Sequence, residues 1–317
     1  MSEERIPSAP VSHRVWRTGS RDIVLDHPIV MGILNITPDS FSDGGNFFSQ
    51  ASALGHAERM VSEGADIVDV GGESTRPGAI PVEAAQESDR VVAVIAEIRR
   101  RFPDLIISID TTKSSVASAA LDAGADIVND VSALRLDPQM PTLVARSGCG
   151  VVLMHSRGDV SDMASYDHAI YEEVVSEVLS ELGSQLLLAE DAGVDRKAIA
   201  LDPGFGFSKK PHHSWDLLHG LPRFTSYDVP VMVGVSRKRM LGQSVGPWLT
   251  DTDWYKRADS MGRIELTPEE KDAATAHINA MALELGASIF RVHNVAVNRR
   301  ALDEAWADLQ RAHSTPT

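Results

Sequence analysis

Eight times along the chain a short apolar run ends at a polar residue. The runs are Ile29–Leu34 into Asn35, Ile67–Val68 into Asp69, Leu105–Ile109 into Asp110 and Ile127–Val128 into Asn129. They continue as Val151–Met154 into His155, Ala198–Leu201 into Asp202, Val231–Val235 into Ser236 and Ser288–Val292 into His293. Short Val/Ile-rich runs without polar alternation fit strands buried on both faces, and hence a parallel sheet. A helix-like segment follows nearly every run. Eight strand–helix alternations predict a closed (β/α)8 TIM barrel of the α/β class. Such barrels hold their chemistry at the carboxyl ends of the strands. Here those ends carry carboxylates, amides, histidines and a hydroxyl, so the chain reads as an enzyme.

The length of 317 residues suits one barrel domain with extensions. We read residues 1–12 as an N-terminal tail, 13–311 as the barrel domain and 312–317 as a C-terminal tail. Val15-Trp16 and Ile23–Leu25 flank Thr18-Gly19-Ser20, a pattern that predicts a hairpin closing the bottom of the barrel. Helices are expected over Gln50–Glu63, Pro81–Arg101, Lys113–Ala123, Pro138–Ser147, Tyr166–Ala192, His212–Leu221, Pro268–Leu285 and Val297–Gln310. Gly64, Gly124, Gly148, Gly193 and Gly286 follow five of them as C-terminal caps. Thr37–Asn46 and Gly71–Ala79 are long loops suited to covering a substrate. Gln243–Thr267 is a long insertion after the seventh barrel strand, read as a surface excursion in preference to a lid.

The net charge of −15 argues against nucleic-acid and anionic-membrane partners, since phosphate backbones need clustered Lys and Arg. The single cysteine, Cys149, leaves no intrachain disulfide and fits a cytoplasmic protein. It precedes the fifth barrel strand, at the wrong end for catalysis. The polar Met1–Pro10 segment is not read as a signal peptide, and no run has the length of a membrane span.

Asp110, Asn129 and Asp202 end barrel strands three, four and six. Unpaired burial of such groups costs several kcal/mol. They therefore either cap the next helix or face a polar ligand. Two carboxylates and an amide suit a planar heterocycle bearing amidine-like N–H groups. Asp202 precedes Pro203-Gly204, a turn ill-suited to helix capping, so its carboxylate is expected in the barrel mouth. Arg237-Lys238-Arg239 follows the seventh strand, Arg291 and His293 end the eighth, and Arg76 lies in the second loop. Barrels often bind phosphate beside the loops after strands seven and eight. This basic cluster on an acidic chain therefore points to a phosphorylated substrate. No P-loop, dinucleotide fingerprint or HExxH motif is present, and His212-His213 is expected on the surface.

The segments MGILNITPDSFSDGG (Met31–Gly45), DVGGESTRPGA (Asp69–Ala79), SIDT (Ser108–Thr111), AGADIVNDVS (Ala123–Ser132), LDPGFGFSK (Leu201–Lys209), VGVSRK (Val233–Lys238) and RVHNV (Arg291–Val295) together resemble the bacterial dihydropteroate synthase family. The likeness spans Ile29 to Val297, and the first two motifs are long and specific. It implies joining of 6-hydroxymethyl-7,8-dihydropterin diphosphate to 4-aminobenzoate, with Mg²⁺ helping diphosphate to leave. It further implies pterin binding by Asp110, Asn129, Met154, Asp202, Phe207, Gly234, Lys238 and Arg291. Diphosphate binding falls to Asn35, Thr75, Arg291 and His293, with Asn35 as the Mg²⁺ ligand. Aminobenzoate binding falls to Phe41, Thr75, Arg76, Pro77, Phe207 and Ser236. Lys238, Arg291, His293 and Asp43 form the implied catalytic set. Family members are typically homodimers and sulfonamide targets.

Asn294 stands where the family commonly has Asp, which touches fine tuning more than activity. Nothing interrupts the two long loops as in sulfonamide-excluding variants. Two alternatives share the barrel. A corrinoid-linked methyltetrahydrofolate methyltransferase needs neither the SRK segment nor the STRPG loop. A non-catalytic pterin-binding paralogue should have lost loop residues or the lysine, yet Thr37, Asp43, Thr75, Arg76 and Lys238 are all present.

Overall fold

The computed structural model describes residues 15–19, 21–36, 45–74, 81–242 and 264–314. A hairpin of β1 (Val15–Thr18) and β2 (Arg21–Val24) comes first. Eight parallel strands follow: β3 (Ile29–Asn35), β4 (Ile67–Gly71), β5 (Ile106–Asp110), β6 (Ile127–Asp130), β7 (Gly150–Met154), β8 (Ile199–Asp202), β9 (Met232–Val233) and β10 (Ile289–Val292). Each neighbours the next, and β10 pairs with β3. β9 is short, but a parallel bridge from Leu201 to Val231 joins it to β8, together with the Leu201 N–H donating to the Pro230 carbonyl at 2.9 Å. The ring is thereby closed as a TIM barrel, with all eight runs as strands.

Alternation within each strand creates two cores. Val30, Val68, Ile107, Val128, Val151, Leu201, Val233 and Phe290 point outward against the helices in the larger one. Met31, Ile67, Ile127, Val152, Ala200, Met232 and Ile289 point inward and share a cluster with Trp16, Ile23 and Leu25 of the hairpin segment. Trp16 is fully buried, and its indole N–H donates to the Ala198 carbonyl at 2.8 Å. The hairpin thus plugs the bottom of the barrel, as expected. Side chains alternate with a period of two along a strand, so the next inward positions lie one layer higher. Those positions are Asp69, Asn129, Met154, Asp202, Gly234 and Arg291; on β3 and β5 they are Ile33 and Ser108, with Asn35 and Asp110 one inward position further. Strand parity alone gathers these groups into one mouth.

The helices are α1 (Gly45–Ser62), α2 (Ala84–Arg101), α3 (Ser114–Asp122), α4 (Met140–Ser147), α5 (Val174–Asp191), α6 (Pro211–His219), α7 (Leu221–Phe224), α8 (Pro268–Glu284) and α9 (Val295–Ser314). The five glycines expected after helices all lie at positive φ. The helix expected from Tyr166 begins only at Val174. The Glu173 carboxylate accepts from the Val175 and Ser176 N–H groups there and fixes the start. The residues before it are held otherwise, with Arg157 donating to the Ile170 carbonyl at 2.6 Å. Phe41, Asp43, Thr75, Arg76, Pro77 and nearly all of the Gln243–Thr267 insertion lie outside the described residues.

Candidate active site

A cavity of about 350 Å³ opens at the carboxyl end of the barrel. Its lining includes Asn35, Asp110, Phe207, Ser236, Lys238, Arg291 and His293, seven of the residues expected there. At its centre Arg291 donates from Nε to Asp69 Oδ2 and from Nη2 to Asp110 Oδ2, both at 2.6 Å. Asn129 Nδ2 also donates to Asp69 Oδ2, at 3.1 Å. The helix-cap alternative for Asp110 and Asn129 is thereby excluded, because the cap positions lie elsewhere. The N-cap of α3 is Lys113, and its Ser114 N–H is taken by Asp137.

These groups do not satisfy one another fully. Asp69 Oδ1, Asn129 Oδ1 and Ser108 Oγ are buried with no hydrogen-bond partner among the described residues. Each unpaired group costs about 1–3 kcal/mol. Folding leaves such atoms unsatisfied where a ligand is to meet them.

Asp202 is 2% exposed. Its Oδ1 accepts the Gly204 N–H at 2.7 Å, closing the Pro203-Gly204 turn, while Oδ2 lies 3.6 Å from where a Cβ on Gly234 would sit. The Lys238 ammonium lies 3.9 Å from the same point. A side chain at Gly234 would therefore fill the space these two groups face, which accounts for glycine there. The turn itself is tight. Gly204 has φ +73°, and a Cβ on it would collide with the His155 carbonyl oxygen. Asp202 thus faces the mouth, as the turn predicted.

Lys238 donates to the Phe205 carbonyl and sits 4.5 Å from the Phe207 ring centre. Met154 is buried beside Val131 and Met163, with Phe207 packed on the same patch. That patch forms an apolar wall beside the polar floor. At the opposite rim Ser236 Oγ lies 2.9 Å from His293 Nδ1 and accepts the His293 N–H at 3.2 Å. Asn35 tops β3 with Oδ1 3.6 Å from a Cβ position on Gly71, beside Asp110.

Burial sets the charges of the site. It pushes the Asp110 carboxyl up to about 7, against the pull of Arg291, with Asp69, Glu87 and Asp130 adding to the rise. Burial also raises Asp202, opposed by Lys238. For Lys238 burial lowers the ammonium to about 8, and Asp202 limits the fall. Burial disfavours the Arg291 cation too, but Asp69 and Asp110 outweigh it and hold the guanidinium charged. Two buried acids, both with carboxyls raised by burial, thus lie among two cations, a setting that suits an uncharged, N–H-rich ring.

The sequence reading missed three groups. Asp69 was taken as a strand end, although β4 continues to Gly71; its inward parity with Ile67 was the available signal. Lys209, 1% exposed, donates to His155 Nδ1 at 2.8 Å and to the Phe207 carbonyl at 3.0 Å, bracing the loop after β8. His155 accepts there through Nδ1, so its Nε2 proton goes to Glu181 at 2.9 Å. Burial and then Lys209 push this imidazole down to about 4, so it is neutral. The third is Asp272, which forks onto Arg237 at 2.7 and 2.9 Å.

That pairing engages part of the basic cluster, of which Arg237, Lys238 and Arg239 all line the cavity. Arg237 is engaged by Asp272, and Arg239 donates to the Ala164 carbonyl over the Tyr166 ring. Of the SRK segment, Lys238 is the cation whose ammonium lies beside Asp202. The reading of His212-His213 as a surface pair also needs correction. His212 is exposed, but His213 is buried and its Nδ1 accepts the Lys210 N–H at 3.3 Å. Cys149 is buried at the foot of β7, far from the mouth, as expected.

A family model described as "Pterin binding enzyme" matches residues 31–293. The dihydropteroate synthase of Streptococcus pyogenes serotype M18 is 43% identical over 279 residues, covering 88% of this chain and 95% of that protein. The structure of Xanthomonas albilineans dihydropteroate synthase with 4-aminobenzoic acid superimposes with a TM-score of 0.80 at 38% identity, covering 96% of this chain and 100% of that one. The same enzyme in complex with 7,8-dihydropteroate gives 0.76 at 35% identity, covering 95% and 100%. A closed barrel whose inward strand ends carry buried polar groups, and near-complete alignment with these synthases, lead to one assignment: the chain belongs to the dihydropteroate synthase family of pterin-binding enzymes.

Proposed function

We propose that this enzyme joins 6-hydroxymethyl-7,8-dihydropterin diphosphate to 4-aminobenzoate, giving 7,8-dihydropteroate and diphosphate. The observation that carries the reading is the set of acceptors around Arg291. Asp69 Oδ1 and Asn129 Oδ1 are buried without partners among the described residues, and Asp202 Oδ2 and the Lys238 ammonium flank the same point beside Gly234, at 3.6 and 3.9 Å. Acceptors beside one ammonium donor complement the edge of a pterin, where amino and N–H groups adjoin a carbonyl. A carboxylate taking two such N–H groups makes a bidentate contact. In this reading Asp110, Asn129, Asp202 and Lys238 hold the ring, Gly234 gives it room, and Met154 and Phe207 form its apolar wall.

The C–O bond from the pterin methylene to diphosphate breaks, and the arylamine nitrogen bonds to that carbon and sheds a proton. Little covalent chemistry falls to the protein. Positioning and stabilisation of the departing charge do the catalysis. In this reading Arg291 and His293, both on the cavity wall, would stabilise the departing diphosphate, and Lys238 would sit beside the ring. Asp43 belongs to the same catalytic set, and Thr75 joins the diphosphate side, both from the motifs. Phe41, Thr75, Arg76 and Pro77 would enclose the aminobenzoate with Phe207 and Ser236, and sulfonamides would compete there.

Among the described residues no three His, Cys, Asp or Glu side chains could hold a metal together. The Asn35 amide oxygen at the rim of the cavity suits Mg²⁺, which commonly binds one or two protein oxygens and completes its shell with water and substrate phosphates. Asn35 would supply the protein oxygen. When bound, the ion would neutralise charge on the leaving diphosphate. A cytoplasmic homodimer completes the reading. No described helix is long and apolar enough to cross a membrane.

Diphosphate release from the pterin diphosphate tests the proposal. Release that depends on added 4-aminobenzoate, with dihydropteroate formed in equal amount, is expected. Pterin binding without any such release would favour a non-catalytic pterin binder.

A further inference from the structure

The segment Ser236-Arg237-Lys238 must do two things at once. Ser236 meets His293, while two residues later Lys238 turns back toward Asp202 and the cavity. The reversal is made at Arg237, whose φ is +58°. A side-chain-bearing residue rarely adopts the left-handed region unless its surroundings hold it there, and such residues gather at functional sites.

Two residues of α8 do the holding. Asp272 Oδ1 accepts Arg237 Nε at 2.7 Å, and Oδ2 accepts Nη2 at 2.9 Å, a planar fork. Thr275 Oγ1 accepts the Arg237 backbone N–H at 3.4 Å. Asp272 is itself buried, and its Oδ2 also accepts Asn294 Nδ2 at 3.0 Å. Asn294 follows His293, and its Oδ1 accepts the Val297 N–H at 3.2 Å near the start of α9. An amide can donate to Asp272 and accept from Val297 together; an ionised carboxylate could not donate. Asp272 therefore sits between the loop after β9 and the end of β10, the two segments bearing Ser236, Lys238, Arg291 and His293.

We propose that Asp272 is a positioning residue for the transferase reaction: by clamping Arg237 in its left-handed conformation it aims Lys238 into the cavity, and through Asn294 it fixes that loop against the strand end carrying His293. Arg237, which also lines the cavity, then acts as a strut. The inference rests on the proposed pterin-binding role of Lys238. Its test keeps the two apart, because the unaltered protein is assayed in parallel.

The experiment compares Asp272→Asn, Arg237→Ala, Arg237→Gly and the double variant Asp272→Asn/Arg237→Ala. Steady-state kinetics are measured in both substrates, with thermal unfolding alongside. Asp272→Asn loses the fork, so kcat/KM for the pterin diphosphate should fall by roughly 10- to 100-fold. In the Arg237→Ala background the same change should have a much smaller further effect, that of the Asn294 arm alone, because Asp272 and Arg237 act as one unit. Arg237→Gly should keep about three- to tenfold more activity than Arg237→Ala, since glycine takes positive φ freely. A clamp that merely stabilised the fold would give no such ordering. Should Asp272→Asn fail to fold, the glycine–alanine comparison decides alone. Equal activity of the two Arg237 variants, or Asp272→Asn kinetics matching the unaltered protein, would overturn the proposal. An unaltered protein without synthase activity would instead strike at the function itself.

Discussion

Arg291 on β10 meets Asp69 on β4 at 2.6 Å, across 222 positions of sequence. β3 lies between those strands, so the ion pair spans the barrel mouth and not a neighbouring strand pair. Asp69 thereby serves both Arg291 and Asn129 through one oxygen and leaves the other for a ligand.

Asp69→Ala should show how much rests on this pair. It leaves the buried Arg291 guanidinium with Asp110 alone and strips Asn129 Nδ2 of its acceptor. Breaking a buried pair from one side typically costs about 3–5 kcal/mol. Denaturant unfolding should register a loss of that order together with weakened pterin binding. A loss below about 1 kcal/mol would reduce the pair to a bystander.

The pH dependence of pterin binding follows from Asp110. Its carboxyl is held up to about 7 in the free protein, by burial first. A folded-state value above the unfolded one means that its contribution to stability is present in acid and fades as pH rises through about 7. A pterin N–H donated to Asp110 favours the ionised form and reverses the shift, so binding should expel a proton. Affinity should therefore strengthen from pH 5.5 toward about 7, then weaken as Lys238 loses its proton above about 8. Calorimetry with a pterin lacking the diphosphate, repeated in buffers of different ionisation enthalpy, measures the protons released. No proton release between pH 5.5 and 7 would show that Asp110 does not meet the ring.

Removal of the proposed Mg²⁺ ligand should separate binding from turnover. Asn35→Ala should slow the reaction by about 100-fold or more at ordinary Mg²⁺, while affinity for the pterin ring changes less than about threefold. Titration of Mg²⁺ in the two proteins provides the check. Identical rates and identical Mg²⁺ dependence would remove Asn35 from the site.

The barrel was legible because eight apolar runs each ended in a polar group, and all eight are strands. The hairpin plug was legible as well, since Trp16 and Ile23 flank an evident turn. Asp202 could be aimed at the mouth because Pro203-Gly204 leaves it no helix to cap. What failed was what depends on distant partners. Asp69 looked like the end of a two-residue run, and nothing nearby in sequence announces Arg291. Arg237 and Arg239 do line the cavity beside Lys238, but charge counted along a chain does not reveal that Asp272 and the Ala164 carbonyl hold them. The helix expected from Tyr166 was overextended because its composition permits a helix, while the Arg157 bond to Ile170 holds that stretch in turns. Phe41, Asp43, Thr75, Arg76 and Pro77 lie outside the described residues, so their roles stand on the motifs.

The central claim is that the inward strand ends grip a pterin, and Asp202 tests it most directly. Asp202→Asn keeps the shape but sets an amide donor against a ligand N–H. An unpaired N–H in a closed site should cost about 2–4 kcal/mol, or roughly 30- to 1,000-fold in pterin affinity. The measurement is calorimetric pterin binding beside thermal unfolding of the same variant. The account predicts that large loss of affinity with a melting temperature shifted by no more than a few degrees. A clearly destabilised protein that binds pterin as well as the unaltered one would make Asp202 a structural residue and contradict the account.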